Sequence, residues 1–235
     1  MPGPFFPNWN FRVLQQLLRI LPHNGTRDTL AQFLTVNALA STWVFAAVFY
    51  VYWRIKDERT KWRRSRLTET FICFCVAMGV TLMVRPWIAW PAPSLVQPFR
   101  ALYPDYFWNE GNPNCFPSHS TLIYMIVAAG FWPFKRWLSA LMMLWVLIAI
   151  SLPRLYVGGH YPIDVAAAIL LAAMAVPATR WVCSNRRVSE LIDRIISKKM
   201  PMELFLFLWL FELAEGFRSS QFIASGLARV ARSIW

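Results

Sequence analysis

Apolar residues in this chain gather into long runs separated by short polar links, the pattern of helices that cross a bilayer. A hydrocarbon layer about 30 Å thick asks for about 20 apolar residues per helix. Five stretches approach that length: residues 34–53, 71–90, 117–134, 137–152 and 164–182. The pattern predicts an all-α polytopic bundle of about five transmembrane spans. Residues 11–33 differ, because Phe11, Val13, Leu14, Leu17, Leu18 and Leu21 recur near a helical period among polar neighbours. That spacing predicts a helix lying on the membrane surface. Near the other end, the apolar run 204–211 is flanked by Glu203 and Glu212 and is too short for a confident sixth span; it reads as an interfacial or docking helix. The expected organisation is an N-terminal interfacial segment (1–33), a transmembrane domain (34–182) and a cytoplasmic or interfacial tail (183–235).

Composition agrees with a bilayer as solvent: 57% of the 235 residues are hydrophobic, 16% aromatic and only 15% charged. The formal charge of +12 suits nucleic acid, a membrane surface or a phosphorylated substrate, and its distribution decides among them. The densest basic run, Arg54 to Arg66, directly follows an apolar stretch; Lys135-Arg136 separates two more, and Arg180, Arg186 and Arg187 follow the last. Lys and Arg clustered in short links mark the cytoplasmic side and argue against nucleic acid as a partner. With 54–66 inside, about 18 of the 24 Lys and Arg fall inside. The links 91–116 and 153–163 then face outside. Trp87, Trp90, Trp132 and Trp137 near span ends read as an aromatic belt, and His23 sits in a turn, Pro22-His23-Asn24-Gly25. The four cysteines show no metal-ligand spacing, and Cys115 has no obvious disulfide partner on its own side, so reduced thiols are expected. The first residues lack the charged start and small-residue cleavage site of a signal peptide.

The candidate chemistry lies in Pro153-Arg154-Leu155-Tyr156-Val157-Gly158-Gly159-His160-Tyr161-Pro162-Ile163-Asp164, between two apolar runs. Ionisable groups at a membrane boundary are costly and mark functional sites. His160 and Asp164 are four apart, so on a helix they share a face and the carboxylate orients the imidazole. The topology brings two further pieces to the same outer surface: Arg85-Pro86 and Pro117-Ser118-His119-Ser120. Arg85 and Arg154 offer planar cationic forks for phosphate oxygens. The helix start at Ser118 offers backbone N–H groups, a hydroxyl and a positive dipole end. His119 is a second imidazole, able to protonate a leaving oxygen. Separately, each residue has a plain reading: boundary arginines, an ordinary helix start, a loop histidine, a capping aspartate.

Together they resemble the type 2 phosphatidic acid phosphatase (PAP2) superfamily, whose blocks are Lys-x6-Arg-Pro, Pro-Ser-Gly-His and Ser-Arg-x5-His-x3-Asp. Arg154, His160 and Asp164 match the third block in spacing, Arg85-Pro86 the end of the first, and Pro117-Ser118 the start of the second. The resemblance covers roughly residues 70–182 and implies a catalytic role for the membrane domain. It makes His160 the nucleophile that forms a phosphohistidine, Asp164 its orienter and His119 the general acid, with Arg85, Arg154 and Ser118 holding phosphate. It implies no cofactor and no required metal. The implied substrate is a lipid phosphate at the extracytoplasmic face of a bacterial inner membrane, undecaprenyl diphosphate first. Phosphatidic acid or phosphatidylglycerol phosphate, phosphotransfer to another alcohol, and a degenerate lipid-binding scaffold are the alternatives. Three positions depart from the pattern. Met78 stands where the first-block Lys belongs, with Arg100 a candidate substitute from the loop, and Pro153 replaces the Ser before the Arg. His119 follows Ser118 directly, a shift of about 100° and 1.5 Å on a helix; either the helix start adjusts or Ser120 takes the aligned position.

Overall fold

The computed structural model describes residues 8–84, 88, 90–110, 114–197 and 199–215, and is all-helical across them. Its helices are α1 (Asn8–Ile20), α2 (Gly25–Val36), α3 (Ala38–Arg54), α4 (Thr60–Val84), α5 (His119–Gly130), α6 (Arg136–Trp145), α7 (Leu152–Tyr156), α8 (Pro162–Cys183), α9 (Arg186–Ser197) and α10 (Lys199–Glu215). Three short 3-10 turns, Pro93–Leu95, Phe99–Leu102 and Asp105–Glu110, fold the long polar link before α5. Residues 1–7 and 216–235 of the expected terminal segments lie outside the described residues.

By length and apolar composition, two described helices can cross a membrane: Arg136–Tyr156, which joins α6 to α7, and Pro162–Cys183. A third follows if α2 and the helix from Ser41 to Arg54, bent by 44°, are one broken span. The expected span at 34–53 therefore has a break, with Asn37 interrupting it and donating its N–H back to Phe33 O. Of the expected span at 71–90, residues 71–84 form the end of the longer α4, whose first turns carry Arg63, Arg64, Arg66 and Glu69. The helix at 117–134 shortens to the 12 residues of α5, about 18 Å against hydrocarbon of about 30 Å. Gly130, where an added Cβ would collide with Thr70 of α4, and the turn after it end α5. Arg180 closes that end by donating to Gly130 O at 3.1 Å, a cation on the negative end of a helix.

Brevity suits α5 because it is the central element. Nearly all of its residues are buried, and it packs against α4, α6 and α8. The core around it is aromatic: Phe45 and Phe49 of α3, Tyr124 of α5, and Phe131 are almost fully enclosed. From the C-terminal side, α10 docks along α3. Its Trp209 wedges edge-on against Phe49 (5.9 Å) and Phe71 (4.7 Å), and Tyr124 donates its hydroxyl to Leu213 O at 2.8 Å.

The two ends of the bundle differ in chemistry. At one, Lys61 of the basic run pairs with Asp193 of α9 at 2.8 Å. At the other, α1 and α2 lie across α7, α8 and the 3-10 turns. His23 occupies the turn between α1 and α2, where buried Asp28 accepts from His23 Nδ1 (3.0 Å), Tyr156 Oη (2.6 Å) and Tyr106 Oη. One carboxylate thus ties α2, α7 and the long link together two residues from Arg154.

Candidate active site

The loop from α7 to α8 is held from several sides. Gly158 has φ +74°, the left-handed region that glycine enters freely. Its carbonyl accepts Ser94 N–H at 3.0 Å, while Gly159 N–H donates to Arg154 O at 2.8 Å. A Cβ at Gly158 would come within 3.0 Å of the Tyr103 ring, whose hydroxyl in turn reaches Leu155 O. Gly158→Ala is therefore expected to destabilise the fold by at least about 1–2 kcal/mol, from the conformation alone, visible as a lower unfolding temperature in detergent. Gly159→Ala has no positive φ to oppose it and serves as the milder comparison.

This loop delivers His160 to the start of α8. Pro162 opens that helix, where its missing N–H is harmless. Asp164, two residues into the first turn, accepts Tyr161 N–H through Oδ2 at 2.8 Å. The same Oδ2 lies 3.4 Å from His160 Nδ1, with the carboxylate fully enclosed and the imidazole 13% exposed. At that separation no hydrogen bond is formed, and such contacts tighten when substrate arrives. Facing Nδ1 to Asp164 leaves Nε2 as the ring nitrogen not directed at the carboxylate. Burial, and then the neighbouring Cys115 and Asp164, push the Tyr161 phenol well above its ordinary pKa.

The second-block piece lies against the third. Ser118 N–H donates to Asp164 O at 3.2 Å, so the starts of α5 and α8 are joined by backbone. Ser118 is buried, and its hydroxyl bonds Thr121 Oγ1 (2.9 Å), which bonds Ser151 Oγ (2.9 Å). This hydroxyl chain runs into the helix interface at the point where α6 widens to a π-helix over Val146–Ser151. Pro153 explains the widening: it has no N–H to give the carbonyl four residues back. Arg154 then donates Nη1 to Ile150 O at 2.7 Å.

His119 is the first residue of α5, 5% exposed, with Nε2 2.7 Å from Met78 Sδ. Two of the three departures from the family pattern, Met78 and His119, thus meet each other. Arg85 lies outside the described residues. Arg100 sits on the turn whose Phe99 packs edge-on against Tyr161 at 4.9 Å. An apolar groove of about 280 Å³ runs beside α7, lined by Leu30 and Leu34 of α2 and by Ile148, Leu152 and Pro153.

Two site neighbours carry no local signal in the sequence. Cys115 is fully buried, its N–H bonded to Trp90 O at 2.8 Å, and it stands with His160 and Asp164, the three ligand atoms within 4.8 Å of one another. Asn10 of α1, also fully buried, accepts Ile163 N–H at 3.3 Å and so caps α8 from a distant helix. Neither spacing nor period reveals such partners; only the burial of Asn10 on the inward face of an amphipathic helix is foreshadowed, beside Leu14.

No curated protein and no solved structure matches the chain significantly. The family model described as PAP2 superfamily matches residues 70–187, a stretch that holds His119, Arg154, His160 and Asp164 and spans α5 through α8. The chain belongs to the PAP2 superfamily.

Proposed function

We propose that this protein is a membrane-embedded lipid phosphatase that hydrolyses a lipid (pyro)phosphate, undecaprenyl diphosphate first, through a phosphohistidine on His160. The observation that carries the reading is the pairing of His160 Nδ1 with enclosed Asp164 in the link between two helices long enough to span a bilayer. Asp164 holds the imidazole with its proton on Nδ1, so the Nε2 lone pair attacks phosphorus. The N–P bond forms as the bond to the leaving oxygen breaks, and that oxygen takes a proton, from His119 in this reading. Water then cleaves the N–P bond, releasing inorganic phosphate and restoring the imidazole. Arg85, Arg154, Ser118 and the positive end of α5 stabilise the charge on the phosphoryl oxygens, where such reactions gain most of their rate. The apolar groove beside α7, lined by Leu152 and Pro153, supports a long-chain substrate. The distribution of Lys and Arg supports a site on the extracytoplasmic side, in this reading that of a bacterial inner membrane. Domain 34–182 is then the catalytic unit, between the interfacial N-terminal segment and the cytoplasmic tail.

A second reading, a degenerate lipid-binding scaffold, is favoured by one contact, the approach of His119 to Met78 sulfur. Purified protein assayed for phosphate release against undecaprenyl diphosphate, phosphatidic acid and phosphatidylglycerol phosphate separates the readings. The fastest release is expected from the isoprenyl diphosphate. A faster glycerolipid would reassign the substrate, transfer to an added alcohol without free phosphate would make it a phosphotransferase, and silence on all three would leave the scaffold.

A further inference from the structure

Cys115, His160 and Asp164 come from three pieces of chain: the loop before α5, the loop after α7 and the first turn of α8. Each offers one ligand atom, and the three atoms lie within 4.8 Å of one another. Thiolate, imidazole and carboxylate together form a donor set for borderline-soft divalent ions. Three ligands about 2.0–2.3 Å from a shared tetrahedral centre stand about 3.3–3.8 Å apart, so small side-chain rotations close the set. A second observation points to a ligand here. Asp164 is fully enclosed, yet its Oδ1 and the facing His160 Nδ1 make no hydrogen bond among the described residues. Enclosed polar atoms nearly always have partners, and these two belong to the pair of residues whose ligand atoms stand with the Cys115 sulfur.

We propose that Cys115, His160 and Asp164 bind a divalent cation of the Zn²⁺ class, and that this occupant holds the protein inactive. Binding releases the thiol proton to solvent as the metal–sulfur bond forms. A neutral imidazole has one N–H and one lone pair. A cation on Nδ1 takes that lone pair and leaves the proton on Nε2, so the nitrogen facing phosphorus has nothing to attack with. The binding stands on the three residues alone; the inhibition rests on the phosphatase reading above.

The test uses the untagged, full-length protein in detergent with Co²⁺ as a visible probe. One equivalent of Co²⁺ is expected to give a thiolate-to-cobalt charge-transfer band that Zn²⁺ abolishes. The band should persist in the variant carrying Cys73→Ser, Cys75→Ser and Cys183→Ser, and vanish in Cys115→Ser. Zn²⁺ should suppress phosphate release, a chelator should restore it, and Cys115→Ser should need at least about 10-fold more Zn²⁺ for the same suppression. No band in the wild-type protein, or loss of the band in the triple variant, overturns the proposal even if Cys115→Ser does not fold. Zn²⁺ suppression that ignores Cys115→Ser overturns it as well. A band without phosphate release leaves the cation site and removes the phosphatase; phosphate release without a band does the reverse.

Discussion

Alanine in place of His160 is expected to lower phosphate release from the best lipid substrate by at least about 100-fold, because the step that replaces it has no covalent intermediate. The change should be almost purely chemical. The imidazole is mostly enclosed but makes no hydrogen bond through Nδ1 among the described residues, and the loop around it is held by Gly158, Gly159 and Tyr103, not by the ring. Unfolding temperature should therefore shift little while turnover disappears. Rapid quenching with a labelled substrate adds a sharper readout: acid-labile, base-stable label on the wild-type protein and none on His160→Ala. Equal release from the two proteins would remove His160 as nucleophile.

Asp164→Asn should be nearly as damaging, by about two to four orders of magnitude in kcat, with the analogous aspartate-to-asparagine change in serine proteases setting the scale. Asparagine keeps an oxygen for Tyr161 N–H, so the first turn of α8 remains capped. The neutral amide, however, no longer supplies the negative charge that holds the proton on Nδ1 and leaves the Nε2 lone pair free to attack. Asp164→Ala removes the cap too and should lose about 1 kcal/mol of stability in addition. The pair separates the two jobs of one side chain: Asn loses turnover at near-constant stability, whereas Ala loses both. A wild-type kcat in Asp164→Asn would mean that the carboxylate only caps the helix.

What could be read from the sequence was what is local. The pairing of His160 with Asp164, four residues apart, is local, and the fold brings the two together, although His160 stands in the loop two residues before α8 and not on a helical face. The all-helical architecture likewise follows from runs of apolar residues. Span limits were less legible, because run length does not report how much of a helix carries charge or where a carbonyl is capped. Hence α4 starts inside the basic run, and Asn37 breaks the first stretch. Partners distant in sequence were not legible at all. Cys115 reaches the site by packing with Ala92, Phe99 and Tyr161, and Asn10 through the docking of α1. The apolar run in α10 hinted at docking but not at which groove Trp209 fills. Met78 could be seen only as a missing lysine until the bundle set its sulfur beside His119.

The bond from Tyr124 to Leu213 spans 89 residues of sequence, and it has a consequence for biosynthesis. Every residue of the proposed reaction centre leaves the ribosome before α10 does. Until α10 arrives, the hollow among Phe49, Phe71 and Phe74 that Trp209 plugs stands uncovered. A nascent chain stalled before α10 would carry complete chemistry on an unfinished scaffold, exposed to the proteases that survey unassembled membrane proteins.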